Sequence, residues 1–311
     1  MTKQQLHLFR GLLLCLIPLI SVSTVLRTLL LFRHYDHAYG GYYPSAGLLD
    51  DVTYLFLFLG VLLTVAFGIF TRKKISFDLE RDSLAEIFPA SFSALMLMAL
   101  GIVTLISSVT GNVSLSVRLL SIFLLIFSAV GCVYFIFCAL GGGKDGVRAL
   151  TLLSAVLALV ATVIYVYFDS SVLLGSSSKL LVQIALILLF FFLLTECRFY
   201  IDRATPVLHL VTAILSVLFA TVSSIPNLIY VAIRHQSILA SPITDFLMLA
   251  LSLFAAVRLC RVALKAFPRI DTIVDVEPVS DVLVDDGIPD DEPVVPEDEA
   301  TDADAKNEEQ E

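Results

Sequence analysis

Arg258, Arg261, Lys265 and Arg269 recur at intervals of three, four and four. On a helix that spacing sets four cations on one face. Such a face attracts anionic lipid head groups at roughly 1 kcal/mol per charge near the surface. It can also hold an acidic segment of the same chain. If the span that carries it starts near Asp245, Arg258 lies about 21 Å down the helix, within snorkelling reach of the interface. A second charged stretch, Thr195–Pro206 (TECRFYIDRATP), places two acids and two arginines between long apolar runs. Its Phe199-Tyr200-Ile201-Asp202-Arg203 matches Phe77-Asp78-Leu79-Glu80-Arg81 as F-x-[LI]-[DE]-R. Glu80–Arg81 and Asp202–Arg203 are therefore candidate paired elements that latch two halves of the molecule. The plainer reading makes Thr195–Pro206 a hinge where the chain turns in water.

Other chemistry-bearing residues are sparse. Arg27, Asp50 and Asp245 all fall near the same end of their apolar blocks, so Arg27 either snorkels or pairs with one of the two acids. His209 lies two to three residues inside an apolar block and reads as a satisfied interfacial side chain. His34, Asp36, His37, Asp50 and Asp51 belong to one Tyr/Gly-rich stretch without the fixed spacing of a metal site. Gly141-Gly142-Gly143-Lys144 lacks the spacing of a phosphate loop, and no hydrolase, kinase, zinc-protease or dinucleotide pattern is present. Asn112-Val113-Ser114 has the form of a glycosylation sequon. Cys15, Cys132, Cys138, Cys197 and Cys260 form no C-x-x-C pair and read as apolar thiols. No cofactor, metal or nucleic acid is expected.

The elements that must position these residues follow from composition. The chain is 58% hydrophobic and 16% charged, with mean hydropathy +0.91. A bilayer span needs roughly 20 apolar residues. Eight blocks qualify: about 11–32, 51–70, 87–109, 118–140, 148–168, 178–195, 207–230 and 243–265. Backbone in hydrocarbon must satisfy its own hydrogen bonds, so each block is a helix. The expected fold is an all-α, polytopic membrane bundle of about eight spans over residues 1–269. The first block is too long for a cleaved signal, carries Arg27 and lacks a cleavage site, so it is read as an anchor.

Alternate connections divide the cations fourteen against five, which places both termini in the cytosol of a cell-membrane protein. Eight of the ten tyrosines fall at or near the outer edge; only Tyr134 and Tyr200 do not. Residues 271–311 hold 17 acids and one lysine, without an aromatic side chain. That composition cannot offset its ordering entropy, so 270–311 is expected to be a disordered acidic tail. Its interspersed valines would suit docking to a cytosolic protein. Small residues four apart, Gly60/Thr64/Gly68 and Ser216/Ala220/Ser224, are packing devices.

The F-x-[LI]-[DE]-R match, with IFSAV at 126–130 facing LFAAV at 253–257, would relate two halves of four spans. The functional expectation is a multi-span membrane protein without catalysis of its own, a permease-like or substrate-binding component. The alternative is a scaffold or regulator that recruits cytosolic partners through its tail.

Overall fold

The computed structural model describes residues 3–36, 41–42, 47–71, 84–111, 113–169, 176–238 and 241–265. Helix α1 (Lys3–His34) is followed by two paired two-residue strands, β1 (Tyr35–Asp36) and β2 (Gly41–Tyr42). Then come α2 (Gly47–Thr71), a 3-10 turn (Leu84–Glu86), α3 (Ile87–Thr110), α4 (Leu115–Leu140) and α5 (Asp145–Phe168). The series ends with α6 (Ser177–Tyr200), α7 (Pro206–Arg234) and α8 (Ile243–Lys265). All eight helices are long and apolar enough to cross a membrane. The architecture is that of a multi-pass membrane protein, with a span at each expected block.

Local chemistry sets the helix ends. Ser176 caps α6, its Oγ accepting from the Lys179 N–H at 3.4 Å. Pro206 opens α7, where its missing N–H costs no helical bond. The Lys179 ammonium, 1% exposed, donates to the carbonyls of Tyr167 and Asp169 at 3.1 and 2.5 Å. This cation at the end of α5 complements the helix dipole. Two helices depart most from the expected boundaries: α1 begins eight residues early, at Lys3, and α6 runs five residues past 195 to Tyr200. Glu196 is thereby helical and buried, because partners on other helices offset its charge.

Each of α3 to α8 packs against the next, and α8 packs back on α3, closing a ring of six helices. α1 and α2 are added along α7. This arrangement does not carry the expected exchange of α1–α4 with α5–α8. The α3–α8 contact would then require a matching α4–α7 contact, and no extensive one exists among the described residues. Arg10 on α1 donates to the Ala263 carbonyl on α8 at 2.9 and 3.2 Å, so the first and last helices share one end of the bundle. We call it the terminal end and the opposite one the far end.

Helix contacts are close where side chains are small. A Cβ on Gly131 of α4 would stand 2.7 Å from the Ala155 Cα of α5, so the two backbones touch. Gly60 and Gly68 of α2 seat Leu218 and Val211 of α7 in the same way. Outward faces carry Leu14, Ile17, Leu55, Phe58 and Phe70, an apolar surface suited to lipid.

Candidate functional site

Inside the ring, Phe135 of α4, Phe192 of α6 and Phe254 of α8 are fully buried and meet edge to face at 5.4 and 6.3 Å. One turn beyond Phe254 on α8 stands Arg258, its guanidinium 5.2 Å from the Phe254 ring centre. The face of α8 that fills the core with Phe254 thus also presents the arginine to the interior.

Arg258 bridges two carboxylates from different helices. Its Nη1 lies 3.1 Å from Glu86 Oε1, in the turn before α3, and its Nη2 lies 3.2 Å from Glu196 Oε1 on α6. Arg261 also donates to Glu86 Oε1. The Tyr134 hydroxyl of α4 donates to Glu196 Oε1 at 2.6 Å and lies 3.4 Å from the Tyr200 hydroxyl. Arg258 is 2% exposed and both glutamates 0%. Three helices and the turn before α3 therefore converge on two buried acids, the buried Arg258 and the partly buried Arg261, four side chains with no net formal charge. In each glutamate Oε1 takes the partners named here. Oε2 of Glu86 and Oε2 of Glu196 are buried and accept no hydrogen bond among the described residues. His209 of α7 borders the group, its ring tilted 35° against that of Phe192, with Nδ1 3.3 Å from the Thr195 hydroxyl.

A second polar group occupies the far end. Arg27 of α1 donates through Nη2 to Asn227 Oδ1 of α7 at 3.3 Å. Asn227 Nδ2 in turn donates to Asp245 Oδ1 of α8 at 2.9 Å. Arg27 is 3% exposed, Asn227 and Asp245 0%. Asp245 Oδ2 and Arg27 Nε have no partner among the described residues. Asp50, half-buried in the first turn of α2, lies within electrostatic reach of Arg27.

The structure thus groups Arg27 with Asp245 through an amide, with Asp50 beside them, and groups Arg258 with Arg261. It turns Arg258 inward onto Glu86 and Glu196, rather than along the α8 surface toward the interface. Arg27 is likewise enclosed, not snorkelled. Lys265 closes α8, but its side chain lies outside the described residues, as do Glu80, Arg81 and His37. Asp202 and Arg203 sit in the exposed turn after α6, without an ion pair among the described residues. There Asp202 adopts a left-handed φ of 54° and the Arg203 N–H donates to the Arg198 carbonyl at 3.0 Å. These bonds end the helix. Among the described residues no three His, Cys, Asp or Glu side chains are grouped to hold a metal.

Sequence reasoning missed Glu86, Glu196, Tyr134 and Asn227. The first two flank apolar blocks and were placed outside them; the tertiary partners that let them enter are remote in sequence. A usable signal was present in Tyr134 and Tyr200, the two tyrosines that do not fit an outer aromatic edge. Both belong to the buried group.

No family model matches the chain, and no match is found among curated proteins or solved structures.

Proposed function

We propose that the chain is a permease-like membrane component, without catalysis of its own, whose ring interior opens alternately at two polar closures. The observation that carries this reading is the enclosure of Glu86, Arg258 and Glu196 among apolar helices. Ionised groups in a bundle core cost several kcal/mol to desolvate, and replacement by apolar side chains is often neutral or stabilising. Their presence within membrane spans is therefore a mark of function. The terminal closure ties α3, α4, α6 and α8 together. The far closure ties α1, α7 and α8. Phe135, Phe192 and Phe254 fill the space on the core side of the first. The unmatched glutamate oxygens suit a small polar solute with N–H or O–H donors, which would compete with Arg258 and loosen the closure.

Cys138 supplies the reporter: it is 2% exposed and its Sγ lies 3.9 Å from Arg258 Nη2. With the other four cysteines changed to serine, a water-soluble maleimide should label Cys138 slowly in lipid nanodiscs. Glu196→Gln should accelerate labelling. Some members of a panel of amino acids, amines and sugars should shift the rate, and those should enter proteoliposomes. If Glu196→Gln leaves Cys138 protected and no solute changes its labelling, the cluster is a static strut and the reading fails.

A further inference from the structure

His209, Thr212, Ser216, Ala220, Ser223 and Asn227 recur on α7 at intervals of three, four, four, three and four. At 100° per residue they occupy a strip about 80° wide, and 18 residues of rise make it about 27 Å long. That nearly equals the thickness of a hydrocarbon core. Every member is at most 7% exposed. The strip faces away from α2, which meets α7 through Leu218 and Val211. One end is Asn227, bonded to Arg27 and Asp245. At the other, Thr212 Oγ1 lies 3.1 Å from Thr195 Oγ1, one residue before Glu196. The strip therefore joins the two charged groups.

Small polar residues on one face are ordinarily packing. Thr212 donates to the Leu208 carbonyl one turn back at 2.9 Å, as helical hydroxyls commonly do, but the two serines of the strip do not. Buried Thr64, Thr162 and Ser224 each donate to the carbonyl one turn back, at 2.7, 2.8 and 2.6 Å. Ser216 and Ser223, both 0% exposed, make no side-chain hydrogen bond among the described residues, and neither does Ser23 of α1. Ser23 stands one turn before Arg27 as Ser223 stands one turn before Asn227. The Arg27–Asn227 bond sets these two unmatched hydroxyls at the same depth. A buried hydroxyl without a partner costs about 1–3 kcal/mol, and ordered water commonly fills such a gap.

We infer that the ring interior conducts protons along this face of α7, between Asp245 at the far end and Glu196 at the terminal end. Each carboxylate has a buried oxygen free to take a proton. A hydroxyl or water between them accepts one proton and releases its own onward, so every relay atom ends with the count it began with. The charges that face the relay are Arg27 and Asp50 at one end, and Arg258, Arg261 and Glu86 at the other. Tyr134, Tyr200, His209, Cys138 and Cys197 are the other titratable groups beside Glu196. The inference deepens the permease reading by naming the ion, and it commits to passive conduction under a voltage with no solute present.

The test uses the full chain in proteoliposomes loaded with the pH dye pyranine, driven by a potassium gradient and valinomycin. Internal acidification should exceed that of protein-free vesicles several-fold. Ser216→Leu and Ser223→Leu, which fill the strip, should return it to the protein-free level, while Thr162→Val on α5 should not change it. Where a leucine variant fails to fold, Ser216→Ala and Ser223→Ala remove the relay hydroxyl without adding bulk; together they should slow conduction about tenfold. Wild-type flux equal to that of empty vesicles at both polarities overturns the inference. So do folded variants that conduct like wild type. Solute-dependent labelling of Cys138 without proton flux would leave the permease reading standing and remove only this one; loss of both would remove both.

Discussion

The two buried polar groups solve one problem in different ways. At the terminal end, arginine meets carboxylate directly: Arg258 at 3.1 and 3.2 Å from two glutamates, with Arg261 added. At the far end, Arg27 and Asp245 are held apart by Asn227, which donates to one and accepts from the other. Direct contact concentrates Coulomb energy where little water screens it, so loss of one member leaves a bare charge. An inserted amide spreads the interaction over two hydrogen bonds and leaves more slack. The terminal end is therefore the harder to open. α8 belongs to both, so Arg258 and Asp245 bind opposite ends of one rod, and a shift that loosens one end acts on the other.

The largest effect is expected at Arg258. Arg258→Met should destabilise the protein by about 3–5 kcal/mol, because Glu86 and Glu196 are left buried with reduced compensation. Thermal unfolding in detergent measures it. The triple change Glu86→Gln, Glu196→Gln and Arg258→Met should recover much of that loss, since no uncompensated charge remains. A triple variant no more stable than the single one would mean that Arg258 acts by shape alone. Next in size is Tyr134→Phe, which removes a 2.6 Å bond to an ionised acceptor. A hydrogen bond to a charged group contributes about 1.5–3 kcal/mol, and the same unfolding assay should show a loss in that range. At the far end Asn227→Ala should cost about 1–3 kcal/mol. An Asn227 variant that unfolds the protein as far as Arg258→Met would erase the ranking of the two ends.

How much of this was legible beforehand depends on the range of the interaction. The spans were, because twenty apolar residues in a row leave the backbone no alternative to a helix. That Arg27, Asp50 and Asp245 lie near the same end of their apolar blocks was legible, but not which acid Arg27 would approach, nor that it would be enclosed instead of snorkelling. The role of Asn227 was not legible, because an uncharged amide within an apolar block carries no charge to mark it. Glu86 and Glu196 were hidden by the edge of the hydrophobic pattern. A carboxylate next to an apolar block is counted with the water until a partner 62 or 172 positions away is known, here Tyr134 or Arg258. The regular spacing of Arg258 and Arg261 was visible, but not what that face meets. The apparent symmetry of the F-x-[LI]-[DE]-R segments rested on one connection that lies outside the described residues and on one that is an exposed turn.

That turn gives the smallest effect and the cleanest contrast with the buried groups. A charge latch would require the Asp202 carboxylate. The geometry instead requires its backbone: φ is 54°, in the left-handed region that only glycine, asparagine and aspartate enter readily. Exposed ion pairs contribute about 0–1 kcal/mol at most. Asp202→Asn and Asp202→Gly should therefore leave the unfolding temperature and Cys138 labelling unchanged. Asp202→Ala, equally uncharged, should lose about 1 kcal/mol, because alanine lacks the short polar side chain whose local hydrogen bonding lets aspartate and asparagine occupy this region. If all three variants fall together, the carboxylate is the active feature and the latch returns. If alanine alone falls, α6 ends here by conformation, and the charges that bind this molecule together are the enclosed ones.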